Sequence, residues 1–421
     1  MTNTILIEKM IAQYRDNLNK YKSMKRYYDG EHDILSKYPK LNGRANQTVI
    51  DNFVNKFINE EVQYSLGNPL AYVSLSGNKK VVDAIYNNCF HWKDNHNQEL
   101  MRTLEIFGTA YILNYLDSEG RFCEKILSPL NAICYFDNDK KPLLFIHFYQ
   151  KMFDDSEYKD IFYPDGRIEI YKGNTLIETK QSKIDWGIPV SICRLEDERD
   201  TIYYKIKTLQ DSYNNVLSDQ LNTISDFRNA YLVFTGVDVE DISMDELNQK
   251  RMMALPQGAK AEWLTKNLPD TYIQNMISNL RESMYANTNH IDGNEKLQSN
   301  TSGTALRNRL VFLEQRCNFM VNIVLDTVYE RIERLFRYLE IQGINFDVKD
   351  IIIVAKPCIP QDEAATVSML NNLGIGVNIS KETALSQLSF IENPAQEIEK
   401  ISAEAKALER INLDKSLELE D

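Results

Sequence analysis

The chain is short of positive charge: 48 lysines and arginines stand against 61 aspartates and glutamates, a formal net charge of −13. A broad, sequence-independent grip on nucleic acid draws on a basic face, so that function class is disfavoured at the outset. Cysteine pairs are missing as well. Cys89, Cys123, Cys134, Cys193, Cys317 and Cys358 stand far apart with no C-x-x-C, which makes a zinc or disulfide framework improbable and reads as reduced thiols in a cytosol-like compartment. No apolar run approaches the roughly 18 residues of a membrane span; Leu143 to Phe148 and Ile351 to Ala355 have the length of buried strands. Met1 to Thr4 lead into an amphipathic segment with Glu8 and Lys9 rather than a leader with an apolar core, so a soluble, unexported product is expected.

Enzyme signatures are equally scarce. G-x-x-x-x-G-K-[ST], G-x-G-x-x-G, H-E-x-x-H and G-x-S-x-G do not occur, and with them go the usual phosphate cradle, zinc helix and nucleophile elbow. Of five histidines only His91 and His96 are close. Their spacing puts the rings off a common helix face, and they read as solvated surface side chains rather than metal ligands. Asp137-Asn138-Asp139 lacks the glycine and terminal glutamate of a calcium loop and reads as a hairpin turn. Glu196-Asp197-Glu198 with Asp200 reads as an acidic solvated linker beside Arg194 and Arg199 rather than a divalent-metal cluster. No enzyme activity, cofactor or metal is expected, and no internal repeat or low-complexity tract is present.

What is there is periodicity. Apolar residues from Ile5 to Tyr28 recur every three or four positions up to Asp29-Gly30, an amphipathic helix. A second helix is expected from Val49 to Tyr64, ended by Gly67-Asn68-Pro69, and a third from Val81 to Phe107. Between Ala110 and Cys193 short alternating runs separated by Asp117-Ser118-Glu119-Gly120, Pro164-Asp165-Gly166 and Gly173-Asn174 describe an antiparallel β region. Helical spacing returns from Ile202 to Phe227, with strands at Tyr231–Thr235 and Ala261–Thr265 around a short helix at Met244–Met252. A further helix carries Ile273, Ile277, Leu280 and Met284, with Pro269 in its first turn. His290 to Thr301 has no period and reads as a loop; from Ser302, a candidate N-cap, a stripe from Leu306 to Leu339 predicts one long helix. A strand at Phe346–Ala355 and two or three short helices complete the chain, whose acidic end from Glu397 is expected to fray.

Several phrases in this order resemble the portal proteins of long-tailed bacteriophages, in the branch typical of phages of Gram-positive hosts. Tyr27-Tyr28-Asp29-Gly30-Glu31-His32-Asp33-Ile34-Leu35 is similar to a Y-Y-x-G-x-H-x-I-L signature, and Asn52-Phe53 through Tyr64, Gly67 and Pro69 to the helix that follows it. Gly108-Thr109-Ala110-Tyr111, Ser128-Pro129, Phe227-Arg228-Asn229, Asn300-Thr301-Ser302-Gly303-Thr304-Ala305-Leu306 and Ser380-Lys381-Glu382-Thr383 continue the likeness over nearly the whole chain. One departure is the charged link at 194–200, where relatives are Asn-rich.

The resemblance implies an α+β, mainly α-helical, ring-forming fold. Its parts would be a β-rich wing (1–204), two stem helices (205–229 and 267–289), a small α/β clip insertion (230–266), a tunnel loop (290–301), a long kinked helix (302–342), a wing strand (343–356) and a crown (357–421). It implies a ring, typically of twelve subunits, at one capsid vertex of the virion, assembled in the host cytoplasm. Double-stranded DNA would pass through it, with the terminase large subunit, a head-tail adaptor, the major capsid protein and scaffolding protein as partners and no membrane. DNA would face Asp292, Asn294, Glu295, Lys296, Gln298, Ser299 and Asn300. Arg281 would face the channel or a neighbouring subunit. Glu262, Trp263 and Lys266 are clip-interface candidates, although a core tryptophan is an equal reading of Trp263. Tyr28, Gly30, His32, Gly67, Pro69, Ser302 and Gly303 would be structural. The alternatives are a minor capsid or adaptor protein without a channel, and a packaging-associated nucleic-acid-processing enzyme.

Overall fold

A computed structural model describes residues 3–40, 45–89, 95–137, 141–182, 184–227, 231–235, 258, 260–264, 270–292 and 303–358, and beyond them 368–370, 380–385, 388, 397–398 and 400–404. Met1–Pro357 form one compact unit and Cys358–Asp421 a second.

The N-terminal stripe forms α1 (Asn3–Asp29) and stops at Gly30, whose φ of 87° suits glycine. After the short α2 (Ile34–Lys37), an extended stretch leads to α3 (Phe53–Leu66), where Asn52 caps the helix by accepting from the Asn55 N–H at 3.0 Å. Gly67 has a right-handed φ of −61°, so its freedom is not what ends α3. The stop belongs to Pro69, which bars Asn68 from helical backbone. The expected single helix from Val81 to Phe107 is instead two, α4 (Lys79–Cys89) and α5 (His96–Phe107). The polar stretch Lys93-Asp94-Asn95 between them has no apolar stripe to bury. Gly108 ends α5 at φ 70°, and a Cβ there would lie 3.2 Å from the Glu198 Cα, so the position needs glycine twice over.

Strands β2 (Thr109–Leu116), β3 (Phe122–Leu127), β4 (Ala132–Phe136), β5 (Pro142–Gln150), β6 (Glu157–Phe162), β7 (Arg167–Lys172), β8 (Thr175–Gln181) and β9 (Val190–Arg194) follow β1 (Ala71–Ser74). They form two antiparallel sheets, ordered β3-β2-β9 and β4-β5-β6-β7-β8. Leu144, Ile146 and Phe148 of β5 pack against Met10 and Tyr14 of α1, while Phe145 joins Tyr111, Leu113 and Val190 on the other face. Burial on both faces explains why β5 reads as an unbroken apolar run. The turn at Asp117 is held by its own carboxylate, which accepts from the Glu119 and Arg121 N–H groups, each at 2.9 Å.

The largest core gathers α1, α3, α5, β2, α6 (Ile202–Phe227), α7 (Asp270–Thr288) and α8 (Gly303–Ile341). Helix α8 has 39 residues, roughly 58 Å at 1.5 Å per residue. Between α6 and α7 lie β10 (Tyr231–Thr235) and β11 (Lys260–Leu264), an antiparallel pair; the short helix expected at Met244–Met252 lies outside the described residues. Only β12 (Ile351–Val354) of the expected Phe346–Ala355 strand is extended, because Asp347 caps a 3-10 turn at Val348–Asp350 ahead of it. Its partner is β1, Ala71 facing Val354, a pairing across the chain that periodicity could not show. In the second unit, Ser380 caps α9 (Lys381–Leu385) by accepting from the Thr383 N–H at 3.1 Å. Among the described residues no helix is long and apolar enough to cross a membrane, and no group of three or more His, Cys, Asp or Glu could hold a metal.

Candidate functional site

The root of the loop after α7 is built from four successive constraints. Thr288 donates its hydroxyl to the Met284 carbonyl at 2.9 Å. Asn289 turns left-handed at φ 60°, and the His290 N–H closes back on the Tyr285 carbonyl at 3.0 Å, ending the helix in a Schellman cap. His290 re-enters the core: its ring stacks on Phe57 at 4.3 Å, with Nδ1 3.0 Å from the Thr288 carbonyl and Nε2 3.3 Å from the Phe57 carbonyl. Burial pushes its pKa down. Asp292 then receives the Arg281 guanidinium in a two-pronged contact, Nε to Oδ2 at 2.6 Å and Nη2 to Oδ1 at 2.8 Å. The side chain that sequence reasoning left between a channel and a neighbour is thus engaged within its own chain, with its guanidinium 5.7 Å from the Tyr285 ring centre. Asn294, Glu295, Lys296, Gln298, Ser299 and Asn300, and the candidate cap Ser302, lie outside the described residues; Gly303 opens α8.

Behind His290 is a charge cluster that no motif announces. Glu61 of α3 and Glu105 of α5 are fully buried and share one arginine, Arg316 of α8, through Nε to Glu61 Oε1 at 2.6 Å and Nη2 to Glu105 Oε2 at 3.2 Å. One oxygen of each carboxylate has no hydrogen-bond partner. Burial first, and then the Glu61 charge, push the Glu105 carboxyl well above the usual carboxylate range. His290 Nε2 lies 3.7 Å from Glu61, which joins the loop root to this cluster. Farther along α8, Arg331 donates to Glu124 at 2.7 Å and to Asn97 at 2.8 Å. His96 shares that Glu124 at 2.7 Å, so the reading of His96 as solvated surface is corrected: its partner is a buried carboxylate. His91 lies outside the described residues.

Helix α6 has a second, polar stripe. Gln210, Asn214, Ser218 and Asn222 are buried at steps of four, and their side chains take the N–H groups of Phe53, Asp51, Val49 and Gln47 at 2.9, 3.2, 2.9 and 2.8 Å. Four helical residues rise about 6 Å and two extended residues about 6.6 Å, so one side chain serves every second amide of the extended segment. Asn214 also donates to His32 Nδ1 at 2.8 Å, and His32 Nε2 then donates to the Tyr27 carbonyl at 3.0 Å. That network requires the neutral ring, and burial lowers the His32 pKa in the same direction. Tyr28 donates to Asn59 at 3.1 Å, and the Tyr28 carbonyl accepts from Asn52 and Asn55. Gly30 closes its turn on the Tyr27 carbonyl, while Gly67 is the C-cap of α3 and the exposed Pro69 follows it. The steps of four in α6 were present in the sequence, hidden beside the apolar stripe.

The charged link is not a solvated linker throughout. Glu198 accepts from Lys20 at 2.6 Å and Tyr21 at 2.8 Å, tying the link to α1. In the insertion, Trp263 stands opposite Leu232 and Glu262 opposite Val233 in the β10-β11 register, while Lys266 lies outside the described residues.

Residues 7–410 match the family model described as phage portal protein, SPP1 Gp6-like. The portal protein of Bacillus phage SPP1 is 21% identical over 445 residues, an alignment covering 96% of this chain and 86% of that protein. Among solved structures, a chain from the neck of an empty GTA particle computed with C6 symmetry is 11% identical, with a TM-score of 0.49, covering 81% of this chain and 90% of that one.

Proposed function

This chain belongs to the SPP1 Gp6-like phage portal protein family, and on that premise we propose that it forms a twelve-subunit ring at one capsid vertex, through which double-stranded DNA is packaged and ejected. Members of this family are structural components of the virion, not enzymes. In the proposed ring the β10-β11 insertion with Glu262, Trp263 and Lys266 meets the terminase large subunit and later the head-tail adaptor. The wing and crown contact capsid and scaffolding proteins.

The observation that carries this reading is the root of the loop. Schellman cap, buried His290 and the Arg281 fork on Asp292 fix residues 288–292, which directly precede the proposed DNA-facing segment Asn294 to Asn300 in the chain. The exposed face of α7 supports it: Gln274, Asn275, Ser278, Asn279, Glu282, Ser283 and Asn287 include no base. Phosphate contacts from lysine and arginine add affinity and residence, which a sliding channel must avoid. A neutral or acidic face lets the duplex move, with charge effects screened beyond roughly 8 Å at physiological salt.

Deleting Glu295 to Ser299 is expected to leave ring assembly intact, as seen in negative-stain images, while DNA packaging or retention falls. Normal genome filling by that variant would remove the loop from the mechanism. Only monomers from the unaltered chain, at several protein and salt concentrations, would remove the ring itself.

A further inference from the structure

The two ends of β5 carry features that nothing among the described residues covers. Beyond Gln150 the hairpin turns through Lys151 to Asp154, closed by the Asp154 N–H on the Lys151 carbonyl at 3.1 Å. Phe153 occupies the third position of that turn with a φ of 63°. Left-handed backbone there favours glycine or asparagine, and a bulky aromatic is an outlier. Strain of this kind persists where something else requires the side chain. Yet Phe153 is 99% exposed and its neighbour Met152 is 84% exposed. At the opposite end, Pro142 of β5 borders a cleft of about 720 Å³ whose apolar wall includes Phe136, Val190, Ile192 and Leu195. The nine residues of β5 set knob and cleft roughly 30 Å apart.

Charge matches the two. The tip is flanked by Lys151 and Asp155, and the cleft by Arg194 and Glu196. All four are exposed, and none enters an ion pair among the described residues. A knob and a cleft at different places on one molecule can join head to tail, and such contacts form a cyclic ring when the rotation from one copy to the next closes.

We propose that the Met152-Phe153 tip of one copy of this chain inserts into the Phe136–Leu195 cleft of the next, with Lys151 meeting Glu196 and Asp155 meeting Arg194. The contact rests on the ring reading above and names one of its interfaces. An aromatic anchor in an apolar pocket with a charged rim is the usual composition of an energetic hot spot.

The test uses the full chain, with ring population followed by native mass spectrometry over a range of protein concentrations. Phe153→Gly is expected to raise the concentration needed for rings about tenfold or more. Thermal melting of the dissociated chain is expected to stay level or rise, because glycine suits the turn. Lys151→Glu with Asp155→Lys is expected to weaken rings, and adding Arg194→Glu and Glu196→Lys to the same chain to restore them. Rings of Phe153→Gly at the unaltered concentration overturn the tip contact and leave the ring reading standing, as does a failure of the four exchanges to restore what the two lost. Absence of rings from the unaltered chain overturns the ring reading instead.

Discussion

Arg316 sits between two carboxylates that water does not reach, and its removal has a defined consequence. With Arg316→Met, the buried Glu61 and Glu105 carboxyl groups lose the guanidinium that bridges them. Breaking a buried pair by losing one partner costs about 3–5 kcal/mol, whereas replacing every member by neutral groups of similar volume can be nearly neutral. Urea denaturation of the full chain is therefore expected to show a loss of that size for Arg316→Met. Adding Glu61→Gln and Glu105→Gln should recover most of it; no recovery would mean that the arginine acts by packing alone. The cluster was not legible in the sequence: Arg316 sits within an apolar heptad-like stripe, and Glu61 and Glu105 each look like a polar residue of an amphipathic helix.

At the scale of elements, the ladder from α6 replaces what would otherwise be a β partner for the extended segment before α3. Each of its side chains satisfies an amide that would otherwise be buried or left to solvent. Asn214 serves three groups, the Asp51 N–H, the Gln210 side chain and His32. Asn214→Ala is expected to cost about 1–3 kcal/mol, the range for leaving a buried partner unpaired. Amide hydrogen exchange at Val49, Asp51 and Phe53 is expected to quicken while β5 amides stay protected. Uniform change across the molecule would instead indicate a global loss of stability. The helices themselves were legible because an apolar stripe at 3.6 residues per turn is a local code. The exceptions have local causes too: α4 and α5 separate where the stripe lapses, and β12 is shortened by the Asp347 cap.

For the whole molecule, the charge balance of −13 and the base-free exposed face of α7 suit the proposed channel, in which DNA would pass without being held. Ser278→Lys introduces one cation per subunit on that face. Rings of this variant are expected to bind duplex DNA more tightly, with a log K against log salt slope steeper by about 0.9 for each phosphate newly contacted. An unchanged slope would place α7 away from the duplex. The family likeness spans nearly the whole chain, whereas individual roles within it depend on which side chains meet.

Most helices and strands, the acidic balance and the family were already written in the order of residues, since composition, periodicity and short phrases act locally or add up along the chain. Tertiary structure alone decided that Arg281 closes on Asp292, that three distant helices share Glu61, Glu105 and Arg316, and that Ala71 pairs with Val354. These partners are separated by 11 to more than 280 positions, and neither element's own period encodes which residue of the other will face it. That choice is made by burial, which admits a polar side chain only where another one answers it.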